Sequence, residues 1–379
     1  MSLDQIFTKL EESLSKSPFK LFEPLVEATH TFLLTPGKAT RRGPHVRDNI
    51  DLKRYMFMVI VALLPVIIMG MYNIGRQTGI SDFWLAIWKG ALVMMPVVIV
   101  SYAVGAFWES IFAKIRGHVI NEGLLVTGIL FPLTLPPTIP LWQVAIGISF
   151  GIVIGKEVFG GTGMNLLNPA LTARAFLFFT YPGNMSGDSV WAAVDGFSTA
   201  TPLATAAAAT GNAVDALHAS PLHYTLNNMF TGFIPGSMGE TSTLAILIGA
   251  AILIILGIGS WRIMLATALG GFGMASLVHW LAGPTATGML SLPPVYQLVM
   301  GGFMFGTVFM TTDPVSAAGT NTGKWIYGIL IGVMAILIRT FNPAYPEGMM
   351  LAILFGNVFS PLIDHFVVQA NIKRRLRRV

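Results

Sequence analysis

The chain has 379 residues, 54% of them hydrophobic and only 11% charged, with a formal net charge of +5. A soluble domain carries about 25% charged residues, so this sequence has too few charges to cover a soluble surface, and its mean hydropathy is +0.68. That excludes a soluble enzyme, a disordered regulator and a nucleic-acid binder, and the lack of cysteine excludes disulfides, cysteine-held iron–sulfur clusters and thiol catalysis.

Residues 1–54 are polar and hold nine of the 23 Lys+Arg. They read as a cytoplasmic N-terminal arm, not as a cleavable signal peptide. A spanning helix needs about 20 apolar residues. The expected spans in a first membrane repeat (55–181) are 55–73, 90–112, 122–135, 142–158 and 167–181. A second repeat (243–368) supplies 243–259, 261–282, 295–311, 325–340 and 348–368. Segments 122–135 and 167–181 are short, so broken helices are expected, with breaks at Leu135-Pro136-Pro137 and Leu292-Pro293-Pro294. Broken helices are tolerated only where protein or a cavity satisfies the freed backbone.

The connection 182–242 contains no Lys or Arg, and neither does 283–294. The connection Lys114–His118 is basic, and the 369–379 tail carries five Lys+Arg in its last seven residues. The positive-inside rule therefore places both termini in the cytoplasm and 182–242 on the outer side of the membrane, in a multi-pass protein.

Two strings recur. Glu122-Gly-Leu-Leu-Val is echoed by Glu347-Gly-Met-Met-Leu, and Leu-Pro-Pro precedes both Gln143-x-x-x-Gly147 and Gln297-x-x-x-Gly301. The pairs share no common register, and recurrence of Gly, Pro and Leu by composition is the alternative. Duplicated broken helices point to a transporter-like core with a site at the repeat interface.

Three groups of residues carry candidate chemistry. Acids in or beside spans (Glu109, Glu122, Glu157, Asp313, Glu347 and Asp364) are costly unless paired or hydrated, and their oxygens suit Na+. The alternative is solvated carboxylates at helix ends, with Glu122 and Glu347 complementing helix N-termini and Asp364 facing cytoplasmic water. In Gly160-Gly161-Thr162-Gly163-Met164-Asn165, followed by Asn168, glycines permit close approach to a flat ring and the amides suit a flavin's pyrimidine edge. A tight interhelical turn is the other reading. The third group is Asp195-Gly-Phe-Ser198-Thr-Ala-Thr201, a small polar turn exposing hydroxyls beside a carboxylate. The seven His show no metal-ligand spacing, so no structural metal is expected. No dinucleotide fingerprint follows a strand, so NADH is not expected to bind here.

The last string is similar to the D-x-x-S-G-A-T site at which flavin transferases attach FMN to threonine, with Thr199 in place of the usual glycine. Further matching stretches are His45-Val-Arg47-Asp48, Asn121-Glu122-Gly123, Lys156-Glu157-Val-Phe-Gly-Gly-Thr-Gly, Asn165-Leu-Leu-Asn168-Pro, Thr312-Asp313-Pro-Val-Ser, Asn342-Pro-Ala-Tyr-Pro-Glu347 and Asp364-His365. From about residue 30 onward the chain resembles the B subunits of Na+-translocating NADH:quinone oxidoreductases. The D subunits of Rnf complexes are a related alternative that lacks the long basic arm. The resemblance implies an all-α integral membrane fold of about ten transmembrane helices in two inverted five-helix repeats, similar to urea and ammonium channels.

It also implies FMN bound by a phosphoester to Thr201, with Asp195 and Ser198 in the attachment motif, and a noncovalent riboflavin. Ubiquinone is the implied substrate and Na+ the transported ion. The implied partners are the other subunits of a six-subunit complex, a flavin transferase and the lipid bilayer. Glu109, Glu122 and Asp364 match positions linked to Na+ uptake. Gly105, Ala106 and Phe107, with Glu109, match a stretch bordering quinone, where relatives carry Gly-Gly and Ala106 replaces the second member. A small-solute channel of the same fold and an assembly protein without activity are the competing readings. Neither needs a flavin-attachment string.

Overall fold

The computed structural model describes residues 7–10, 13, 26, 30, 52–117, 123–193, 199–342, 345 and 347–377. Asp195, Ser198 and Glu122 lie outside the described residues. The protein is an all-α integral membrane protein. Among the described residues there is no strand, only an isolated bridge between Asn212 and Gly288.

From residue 52 to the long connection the described helices are α1 (Leu52–Gln77), α2 (Phe83–Arg116), α3 (Gly123–Leu133), α4 (Leu141–Val153) and α5 (Pro169–Thr180). The connection itself folds. It forms α6 (Pro202–Ala208), α7 (Ala213–Ala219) and α8 (Leu226–Thr231), begun by the side chains of Thr201, Asn212 and Thr225 respectively. Then follow α9 (Thr243–Ile255), α10 (Trp261–Ala282), α11 (Pro294–Val299), α12 (Asn321–Phe341) and α13 (Met349–Leu376). Among the described residues six helices are long and apolar enough to cross a membrane, while α3 and α9 are shorter apolar helices.

The expected spans reappear with informative differences. Segment 90–112 extends to 34 residues because Asp82 caps α2, accepting from the Leu85 N–H at 2.8 Å, and Gly117 ends it in a left-handed turn. At about 1.5 Å per residue, α2 outruns a hydrocarbon core of about 30 Å and carries Lys114 and Arg116 past its apolar part. Leu135-Pro136-Pro137 does separate two helices, α3 and α4. Leu292-Pro293-Pro294 instead starts one: Pro293 is the N-cap of α11 and Pro294 its first residue. Proline suits that position because its missing N–H is not needed there. The break within 295–311 falls later, at Met300-Gly301-Gly302, where Gly301 has φ +61°. A π-helical turn, Gly306–Met310, follows; such turns often mark functional sites.

The helices pack as two groups joined along one seam. Helix α1 pairs with α2, α4 with α5, α10 with α12, and α12 with α13, while α9 lies on α1 and ties the groups together. One apolar core runs through both. A second core, including Leu203, Leu217, Tyr224, Met229, Leu292 and Met300, belongs to the cap formed by α6–α8 on the 289–300 segment. A connection that reads as loop in sequence is thus a small folded cap. Its alanines favour helix, and its few large apolar residues converge on one fully buried tyrosine.

Candidate functional site

Thr201 sits at the edge of that cap. Its backbone is extended (φ −66°, ψ 160°) and its hydroxyl oxygen accepts from the Ala204 N–H at 3.2 Å, which starts α6. The preceding residue is clamped: the Tyr224 hydroxyl donates to the Ala200 carbonyl at 2.6 Å and lies 3.3 Å from the Thr199 hydroxyl. Burial pushes the Tyr224 phenol above its ordinary value, against opposing hydrogen bonds from Thr199 and Ser220. The phenol therefore stays a donor. Thr201 itself is half-buried and borders an open cavity.

The cavity walls combine Phe178, Trp191 and Tyr345 with Ser237, Glu240 and Glu347. Gly301 and Gly302 line it without side chains. A Cβ on Gly302 would stand 2.7 Å from Glu240 Oε1 and 2.8 Å from Glu347 Oε1. Aromatic faces, a bare glycine floor and a rim hydroxyl fit a flat ring tethered through Thr201.

The carboxylates of this wall are held from behind by groups on distant segments. Arg174, on α5, donates Nη1 to Glu347 Oε1 and Nη2 to Glu347 Oε2, both at 2.6 Å, and lies 3.8 Å from Glu240 Oε1. Tyr345 donates to Glu347 Oε2 at 3.2 Å. Arg339, on α12, donates Nε to the Glu347 carbonyl at 3.2 Å and Nη1 to the Gln297 carbonyl. Its Nη2 is buried without a partner. Arg174, Arg339 and Glu240 are missing from the candidates drawn from sequence, although Arg174 and Arg339 stand inside expected spans. A basic residue in an apolar span is as costly as an acidic one, and that signal is legible in the sequence.

A second cavity lies at the other end of α5, the end at which α2 carries Lys114 and Arg116. Thr162, Asn165, Asn168, Lys156, Tyr55 and Asp313 line it. The Thr162 hydroxyl is buried without a partner, as expected of a group that awaits a ligand. Asn165 donates to the Leu167 carbonyl at 3.0 Å. Asn168 caps α5, its side-chain oxygen accepting from Ala170 N at 3.0 Å and Leu171 N at 3.3 Å. Gly161 and Gly163, with φ +99° and +91°, shape the turn rather than line the space. An unpartnered hydroxyl and a nearby amide fit the polar edge of a flavin.

The remaining candidates scatter. Glu109 is buried and ion-paired with Lys156 beside this second cavity. Asp313 accepts from Ser316 at 2.7 Å and from the Val315 N–H at 3.2 Å. Asp364, on α13, accepts from the Gly319 N–H at 2.6 Å and the Thr320 N–H at 3.1 Å. Glu347 belongs to the Thr201 cavity. Among the described residues no three acidic or histidine side chains gather as a metal site. Gly105 is packed, since a Cβ there would stand 2.7 Å from Leu124 Cδ1. Ala106 is half-buried, and Phe107 is exposed on the outer surface of α2. None of these three lines either cavity.

Residues 39–373 match a family described as NQR2, RnfD, RnfE. A Pseudomonas paraeruginosa protein, one of those named as Na(+)-translocating NADH-quinone reductase B subunits, is 52% identical, with the whole of both chains covered. Proteins of the same name from Azotobacter vinelandii and Chromohalobacter salexigens are 50% and 49% identical, covering all of this chain and 100% and 97% of theirs.

Proposed function

The chain belongs to the NQR2, RnfD, RnfE family, and from that premise we propose that it is the membrane flavoprotein component of a Na+-translocating NADH:quinone reductase. In this reading FMN is held covalently at Thr201, riboflavin sits noncovalently in the Thr162–Asn165 cavity, and electrons pass between them toward ubiquinone. One observation carries the reading: Thr201 opens onto one of two cavities that lie at opposite ends of α5. Asn168 at one end and Phe178 at the other are ten residues apart, about 15 Å along a helix. The same two cavities are bordered by Asp313 and by Gly301–Gly302, so the chain from 301 to 313 also runs between them.

FMN bound at Thr201 would supply the redox chemistry, while the protein contributes position and electrostatics. Tyr224 fixes the backbone before the acceptor, and Phe178, Trp191 and Tyr345 offer faces to a ring. The basic end of α2 and the basic tail support a cytoplasmic riboflavin cavity and a periplasmic Thr201 cavity. The related proteins' name supports a place in a multisubunit complex that uses quinone and Na+.

The test separates the two flavins. The protein is expressed with its flavin transferase, denatured and run on a gel, and flavin released by denaturation is quantified. The wild-type band should fluoresce, and Thr201→Val should abolish that fluorescence while leaving the released flavin unchanged. Asn165→Leu should do the reverse. Fluorescence that survives Thr201→Val overturns the attachment site, and released flavin unaffected by Asn165→Leu overturns the second pocket.

A further inference from the structure

Two carboxylates, Glu240 and Glu347, line the Thr201 cavity. Two guanidinium groups, Arg174 and Arg339, stand behind them. All four have low exposure, from 1% for Arg339 to 17% for the Glu347 side chain. The charges balance in number but not in pairing. Glu347 takes both nitrogens of Arg174 and the Tyr345 hydroxyl. Glu240 has no cation closer than Arg174 at 3.8 Å among the described residues. Yet Glu240 borders the cavity directly.

The two carboxylates also converge. A single point, the place of an absent Cβ on Gly302, lies within 2.8 Å of an oxygen of each. Like charges this close in a medium of low polarity are disfavoured, and a proton on one member relieves the repulsion. The groups that face Glu240 are Arg174 from α5, Arg339 from α12, and Tyr345 and Glu347 from the segment before α13. Of these, Arg174 is committed to Glu347, and Arg339 donates Nε and Nη1 to backbone carbonyls. The loosely held carboxyl on the cavity wall is the one whose charge is least costly to change.

We propose that Glu240 is a proton-binding positioning residue for the flavin at Thr201, carrying a proton while the cavity holds extra negative charge and releasing it when that charge leaves. This rests on the flavin reading above. In the step, the O–H bond of the Glu240 carboxyl forms or breaks and its proton is exchanged with water at the cavity mouth. Electrons come from and go to the redox partners of the NADH-to-quinone chain. Glu240 itself is neither oxidised nor reduced.

The test is a spectroelectrochemical titration of the protein-linked flavin in the assembled complex, at several pH values and fixed Na+, for the wild type and Glu240→Gln. The wild-type midpoint potential should fall with pH more steeply than that of the variant over at least one pH interval. Equal slopes, with fluorescent bands in both proteins, overturn the Glu240 assignment alone. Dark bands in both overturn flavin attachment and this inference with it. If Glu240→Gln does not assemble, the wild type decides by redox-difference infrared spectroscopy. A protonated-carboxyl C=O band that shifts in deuterium oxide supports the proposal, and no such band overturns it.

Discussion

At the scale of single residues, the side chains that sequence motifs single out do several kinds of work. Asp364 resembles an ion-path acid in sequence, and in the fold its carboxylate receives the Gly319 and Thr320 N–H groups at the start of α12. Both roles are open to one carboxylate, and they separate on substitution. Asp364→Asn should cost about 1 kcal/mol of stability if capping alone is lost. If Asp364 also attracts Na+, the Na+ needed for half-maximal quinone reduction in the complex should rise roughly tenfold, equivalent to ~1.4 kcal/mol. A lowered melting temperature with unchanged Na+ dependence removes it from the ion path. Asn168 teaches the same lesson. Its place before Pro169 is equally the signature of a flavin amide and of a helix cap, and the structure commits its oxygen to the cap.

At the scale of elements, the long helices were legible because some 20 apolar residues in a row have few alternatives. Their ends were legible where a cap is written in the sequence, as with Asp82 and Gly117 for α2. Broken elements were not, because Leu-Pro-Pro is compatible with the end of one helix and the start of another. It does the first after α3 and the second before α11. Close helix pairs depend on spacing that sequence hides. A Cβ on Gly90 would stand 1.8 Å from the Met71 carbonyl oxygen, and one on Gly75 1.9 Å from that of Ala86, so α1 and α2 touch backbone to backbone. Gly90→Ala should force them apart and cost about 1–3 kcal/mol, seen as a lower melting temperature in detergent. Gly183→Ala, which meets nothing within 4 Å, should leave it unchanged. Equal behaviour of the two variants would show that the contact does not matter.

At the scale of the whole molecule, the Arg174–Glu347 fork joins residues 173 positions apart and so fastens the first group of helices to the second. Removing one member leaves buried charge uncompensated, at a cost of about 3–5 kcal/mol. Arg174→Met should therefore lower the melting temperature markedly, and Arg174→Met with Glu347→Gln should recover most of the loss. A single variant as stable as the wild type would mean the fork adds nothing.

Composition and short strings were enough to mark a helical membrane protein with basic ends, a threonine in a string similar to a flavin-attachment site, and the family to which the chain belongs. Those properties reside in composition and in short strings, which act through neighbours along the chain. Packing alone brings Thr201 to a cavity, sets a second cavity at the far end of α5, and gathers Arg174 and Arg339 behind the Glu240 and Glu347 that line the first. Burial makes such charges costly unless they meet, and where they meet is set by how the helices pack. The scarcity of charge in the composition thus acquires a place in the fold: some of the few charges that are not in the tails sit together beneath the threonine that the motif marks.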